Sequence, residues 1–291
     1  MEPGRSGLRI MLQPGQISLA RRQEEFMQRH RWAFVVVFLV LLPLARAAEW
    51  SKTYNVSGQP DLSVETSDAN LHVDTWPQAT IAVHVTSNHY KIGEGGINIY
   101  EKQNGNQIEL ELRYPHHYLS VQIGRNKYKV DVDIHLPREG RIHLRTGDGD
   151  ISLTNFKGTM DLESSDGHQE IESVDGTLRA HAGDGRIRVA GRFDVLNLDT
   201  GDGRIEARVL PGSSISSDWN LHSGDGSVTL QLPDNFAADV DLHSGDGHIT
   251  LDVPVMVEGL LGQNKIHGKI NGGGNLLSVH TGDGSIRIQK S

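Results

Sequence analysis

A ten-residue pattern, apolar-x-apolar-x-small-Gly-Asp-Gly-x-apolar, occurs seven times in this chain. The copies are centred on Asp148, Asp166, Asp184, Asp202, Asp225, Asp246 and Asp283, and a worn copy is centred on Asp68. From Asp148 onward successive centres lie 18, 18, 18, 23, 21 and 37 residues apart. Self-similarity at such a step means that each repeat is too small to bury its apolar side alone and must stack on its neighbours. That constraint bears on how the chain folds far more than on what it binds.

Numbering from each central Asp, the sixth residue before it is Leu62, Ile142, Met160, Leu178, Leu196, Trp219, Val240 or Leu277. The fourth before it is Val64, Leu144, Leu162, Ala180, Leu198, Leu221, Leu242 or Val279. Two before, the column turns small, as at Thr66, Thr146, Ser164, Ala182, Thr200, Ser223, Ser244 and Thr281. Past the turn, apolar residues return three and five positions on, as at Ile151 and Leu153 or Ile187 and Val189. Alternation of period two with β-branched enrichment predicts half-buried strands. The small column suggests a core that narrows towards a corner. The central Asp residues are read as structural turns, with glycine supplying positive φ and Asp bonding its own backbone. The Asp166 copy carries Ser165 in place of the first glycine and Gln169 where an apolar residue belongs.

Two all-β arrangements fit. In a parallel β-solenoid each repeat is one coil, and like residues stack about 4.8 Å apart. In an antiparallel meander, Gly-Asp is a two-residue hairpin turn. The three equal steps favour the solenoid, because a fixed step keeps like residues in register. His222 and His243 would then lie one strand spacing apart, and Ile249 would be flanked by Val228 and Ile286. Leu136-Pro137, Leu210-Pro211 and Leu232-Pro233 mark corners opposite the Gly-Asp-Gly, since proline removes a ladder donor. The glycine-rich stretch from Gly259 to Asn275 predicts a longer excursion before the last coil.

Residues 31–47 run from basic through an apolar core, Trp32 to Leu42, to Ala45-Arg46-Ala47. This is the pattern of an export signal, with a core too short for a stable membrane span. The expectation is a mature chain from Ala48, with Met27 as an alternative start that leaves an ordinary basic leader. Arg21-Arg22 followed by Gln23-Glu24-Glu25 is a poor twin-arginine match. Residues 48–291 are read as one elongated domain, with irregular opening strands over 48–140 and regular repeats over 141–291. Residues 1–47 hold seven Arg and three Glu, so their removal moves the formal net charge from −9 to −13. An acidic chain without a concentrated basic patch is a poor nucleic-acid binder. With no cysteine there is no disulfide framework and no thiol catalysis.

Val73-Asp74-Thr75-Trp76, then Asp133-Ile134-His135-Leu136-Pro137, then the string of Gly-Asp-Gly turns resembles the bacterial putative-adhesin family of exported β-strand-repeat proteins. The ending, Gly268 to Asn275 followed by Leu277 to Ile286, is similar to that family's. The resemblance runs from about Glu49 to Gln289 and implies a β-solenoid-like exported domain of undetermined role. It carries over no catalytic residues.

Calcium is one candidate ligand. Calcium β-rolls, however, use paired glycine-rich turns at about a nine-residue period, and the ion wants roughly six to eight oxygens. One Asp per 18 residues supplies neither, so no metal or cofactor is expected. The position three before the Asp holds Arg145, Glu163, His181, Asp199, His222, His243 and His280, and parity puts it on the outer face. The histidines there, His181, His222, His243 and His280, are candidates for contact with a partner or a shared transition metal; a solvated charge ladder is the plainer reading. Dense carboxylates (Asp166, Glu170, Glu172, Asp175) leave open an envelope carbohydrate-active enzyme on a β-helix, though hydrolase and phosphate-loop motifs are missing. Tyr114 to Tyr118 is an aromatic-rich loop that could contact a sugar or a partner, a plain inter-strand loop being the favoured reading. The favoured function is an exported, non-enzymatic scaffold, periplasmic, at the cell surface or secreted, whose polar face meets an envelope or surface partner, protein or glycan.

Overall fold

This computed structural model describes residues 48–115, 129–257 and 264–291. The expected export segment, the Met27 start and His116 to Tyr118 lie outside the described residues. What is described consists of strands and turns, with no helix.

Each Gly-Asp-Gly joins an approach strand to a return strand, and the two never pair with each other. Met160 of the approach strand Lys157–Ser164 lies between Ile142 and Leu178 of neighbouring coils. Past the same turn, Ile171 lies between Leu153 and Val189. All these pairings are parallel and in register, so the fold is a parallel β-solenoid and the hairpin meander is excluded. The inner columns are buried as alternation predicts: Leu62, Ile142, Met160, Leu178, Leu196, Trp219, Leu277 and Val240 are each at most 3% exposed.

Coil order differs from chain order at both ends. Asp61–Thr66 and Asn70–Trp76, the Asp68 coil, sit directly on the Asp148 coil. On their other side lies a coil without Gly-Asp-Gly, built from Gln107–Arg113 and Val130–Pro137. At the far end, the approach strands run Trp219–Ser223, Leu276–Thr281, Ala238–Ser244. The last repeat in sequence is therefore inserted between the Asp225 and Asp246 coils. Antiparallel strands cover the outermost approach strands: Asn98–Asn104 at one end, Lys265–Ile270 and Val255–Val257 at the other. This insertion corrects the expected neighbours. Ile286, not Ile249, lies beside Val228; Ile249 pairs with Ile286 and is only half-buried.

The corners are glycine for a reason other than the expected one. None of the Gly-Asp-Gly glycines has positive φ. A Cβ on the second glycine of a coil would instead overlap the backbone oxygen of its counterpart on the coil before: Gly203 meets Gly185, Gly226 meets Gly203 and Gly284 meets Gly226. The first glycine is less tight, since a Cβ on Gly201 would lie 2.7 Å from the Gly183 oxygen. Ser165 occupies that looser position. Left-handed backbone appears at the opposite bend, at Gly158 and Gly176 (φ 137° and 123°).

The small column is also more than a taper, because its hydroxyls donate to the corner carbonyl of the coil before. Thr200 Oγ1 donates to Gly185 O at 3.0 Å, Ser223 Oγ to Gly203 O at 2.9 Å and Thr281 Oγ1 to Gly226 O at 2.8 Å. Ala182 breaks this row, and there Ser164 turns to the Gly167 carbonyl of its own coil. Gln169 fills the gap: its Nε2 donates to Ser164 Oγ at 2.9 Å and to His181 O at 2.7 Å, while its buried Oε1 has no partner.

Two outcomes follow for stability. Gly203→Ala drives a methyl into backbone and should cost at least the upper end of the roughly 1–3 kcal/mol typical of overpacking. Asp202→Ala, on the exposed side of the same corner, should stay within about 0.5 kcal/mol. Chemical denaturation of both variants checks this; equal losses would contradict the stacking explanation. Ile286→Ala, fully buried between two coils, should cost about 2–5 kcal/mol. Ile249→Ala at the end of the stack should cost clearly less, and denaturant midpoints of the two variants decide the order.

Candidate functional site

Alternation that points one set of residues inward sends its complement outward, so the approach sheet carries two outer polar columns. Three before the Asp, in stacking order, stand Glu111, Glu65, Arg145, Glu163, His181, Asp199, His222, His280 and His243, with Lys265 on the antiparallel neighbour. Five before it the row includes His143, Asp161, Arg179, Asn197, Asn220, Ser278 and Asp241, ending at His267.

Over the middle coils opposite charges alternate at the coil spacing. Arg145 Nη1 lies 3.3 Å from Glu163 Oε2, His181 Nδ1 2.7 Å from Asp199 Oδ2 and His143 Nδ1 3.5 Å from Asp161 Oδ2. These pairs are exposed or half-exposed, where such contacts are worth about 0–1 kcal/mol. They arrange the surface more than they hold the fold. Asp161, Glu163, Arg179, His181, Asn197 and Asp199 line a shallow groove along this face.

Past Asp199 the alternation stops. His222, His280 and His243 follow one another on three adjacent strands, and the His243 and His280 rings meet edge to face with centroids 6.0 Å apart. The expected His222–His243 neighbourhood is thus corrected: His280 stands between them. His181 is separated from the three by Asp199. Sequence reasoning missed Asp241 and His267, which join this end of the face with His267 Nδ1 3.1 Å from Asp241 Oδ1. His267 lies outside every repeat, on a strand whose antiparallel pairing leaves no periodic mark.

The central Asp residues from Asp148 to Asp283 project into solvent at one edge, one per coil. The corner amides bond to the previous coil instead, as with Asp148 N to Ser67 O at 3.0 Å and Asp225 N to Gly201 O at 3.1 Å. As the side chains stand, no three His, Asp or Glu residues among the described residues are placed to hold a metal ion. The carboxylates weighed for catalysis do not converge. Asp166 is at the corner, Glu170 faces Arg188 at 3.7 Å on the return sheet, and Asp175 is bound by Arg192 at the opposite bend. Of the aromatic loop, Tyr114 is described. Its ring meets Tyr90 edge to face at 5.8 Å, and burial pushes its hydroxyl up to about 12.

Known proteins compare as follows. The family model described as Toastrack DUF4097 matches residues 131–289. A search of curated proteins finds no match. Among solved structures, a putative adhesin from Bacteroides fragilis is 14% identical, with 82% of this chain and 96% of that one covered and a TM-score of 0.45. A putative cell adhesion protein from Clostridium sporogenes is 15% identical, with coverage of 84% and 100% and a TM-score of 0.37. A putative lipid binding protein from Parabacteroides distasonis is 14% identical, with coverage of 84% and 97% and a TM-score of 0.36.

Because the outer columns carry surface chemistry and not packing, His181→Ala and Asp199→Ala should each shift stability by less than about 0.5 kcal/mol. Thermal melts of both variants check this, and a loss as large as a core truncation would mean that the face is structural.

Proposed function

Because the chain belongs to the Toastrack DUF4097 family and carries a β-solenoid, we propose that it is an exported, non-enzymatic scaffold that presents the outer face of its approach sheet to a partner at the cell envelope or surface. The observation that carries this reading is the continuous polar face itself. Adjacent parallel strands hold their side chains in register from Arg145 to His243, so ligand groups repeating at the same interval can be met many times over. Multiplying individually weak contacts raises avidity without any single strong site. A surface glycan or an envelope protein fits such a face, whereas the acidic balance opposes nucleic acid.

Export is supported by the sequence from Arg31 to Ala47. No helix among the described residues is long and apolar enough to cross a membrane. The reading needs no calcium, since the corners are closed by amide-to-carbonyl bonds between coils. It needs no catalytic residues either, since the dense carboxylates are spread over a corner, the return sheet and the opposite bend.

The test is a glycan array together with a pull-down from envelope fractions. A His181→Ala/Asp199→Ala/His222→Ala variant should lose most of the binding seen with the parent chain. An Arg188→Ala/Glu206→Ala variant, altered on the opposite sheet, should keep it. Equal retention by both variants, or turnover of an arrayed polysaccharide, would overturn the proposal.

A further inference from the structure

Where the alternating charges of the approach sheet give way to histidine, three strands bring four metal-ligating side chains together. Asp241 is on Ala238–Ser244, with His280 on one neighbouring strand and His267 on the other. His267 Nδ1 is 3.1 Å from Asp241 Oδ1, and His280 Nε2 is 3.8 Å from Asp241 Oδ2. His243, on the strand of Asp241 itself, packs edge to face on His280.

Two features are poorly explained by ion pairing alone. Asp241 Oδ1 is buried yet accepts no hydrogen bond, even though an imidazole nitrogen is within reach. Leaving a buried acceptor unsatisfied is unfavourable, more so when it is charged. Further, two imidazoles share this single carboxylate and a third packs on one of them, whereas His143 and His181 in the middle of the face each have their own.

From these positions we infer that Asp241, His267 and His280, with His243 as a fourth ligand, form a binding site for a divalent late transition metal such as zinc. With metal–ligand bonds of about 2.0–2.2 Å, neighbouring donors of a tetrahedral site stand about 3.3 Å apart. The His267 Nδ1–Asp241 Oδ1 separation of 3.1 Å is close to that value, while His280 stands nearer the other carboxylate oxygen, at 3.8 Å. Imidazole and carboxylate donors without thiolate suit zinc, cobalt, nickel or copper, and a mixed set of this kind is a poor match for calcium. The donors do not yet converge on one point, so binding requires the exposed His267 and His280 rings to turn about their side-chain bonds, a movement the solvent side leaves open. The bound ion would take the place of the missing partner of Asp241 Oδ1. It would also cross-link the inserted last repeat, through His280, to the coil and the antiparallel strand outside it.

This inference stands apart from the proposed partner binding and is tested separately. The untagged chain, freed of metal, is titrated with zinc by calorimetry and with cobalt by visible absorption. One saturable site is expected, with the cobalt bands of tetrahedral coordination and a melting temperature several degrees higher in the presence of zinc. Asp241→Asn and His267→Gln should each weaken binding by more than roughly tenfold, the lower bound for losing even an outer-shell partner. His143→Gln, on the same face but several coils away, should bind as the parent does. His280→Gln gives a further check should Asp241→Asn fail to fold by circular dichroism. No saturable event, or an event that survives in both His267→Gln and His280→Gln, would overturn the site.

Discussion

At the Gly-Asp-Gly corners the backbones of adjacent coils approach so closely that a carbonyl oxygen occupies the space a Cβ would need. From the Asp148 coil onward the second corner residue is glycine in every copy, and the reason is the neighbouring coil, not the local turn. The corner amides and the Ser/Thr hydroxyls then join each corner to the one before it. Together these features set a common spacing, and the spacing brings every inner column into register. Burial follows from register: Leu62 to Leu277 form one continuous apolar row because each coil is held at the same height on the last.

A stack of this kind has two open ends, and exposed strand edges invite unwanted pairing. Both ends are handled by the same device. The chain runs past the place where its terminal repeat belongs, lays down an outer coil and antiparallel strands, and leaves the terminal repeat between that outer coil and the body of the stack. The Asp68 coil is thereby covered by the coil of Gln107–Arg113, and the Asp283 coil by the Asp246 coil. The outer coils end against antiparallel strands, which pair with an approach edge without offering the same parallel register to a further coil. The corner of the Asp68 copy agrees with this. Its Ser67 and Ala69 replace both glycines at the one such position whose neighbouring coil has no Gly-Asp-Gly in the sequence between its strands.

Strand parity, the inner columns and the solenoid itself were legible in the sequence, because each is a local pattern repeated at a fixed step. Coil order was not. Val228, Ile286 and Ile249 are nearly interchangeable as stacking partners, so nothing in the column says which two touch; the 37-residue step before Asp283 marked an excursion but not its destination. The coil of Gln107–Arg113 and Val130–Pro137 was hidden because the sequence between its strands lacks the signature, although Ile108, Leu110 and Leu112 keep the alternation. The corner glycines were recognised but assigned to positive φ, since sequence gives the residue and not the neighbour it avoids. On the candidate face the histidine column was visible, whereas Asp241 and His267 depended on an antiparallel pairing outside the repeats.

The division of labour within each coil explains why the fold is read so much more easily than the function. Inner positions answer to burial, corner positions to the approach of the neighbouring backbone, and both demands repeat at every coil. Outer positions are tied only to their spacing, so they can change from one coil to the next without disturbing the stack. Along the approach sheet they do change, from alternating acid and base between Arg145 and Asp199 to successive histidines from His222 to His243. That change coincides with the place where coil order departs from chain order. His280 comes between His222 and His243 only because the last repeat is inserted there, and the strand that covers that end brings His267 to Asp241. The topology that protects the end of the stack thus also brings Asp241, His243, His267 and His280 together from three separate stretches of sequence.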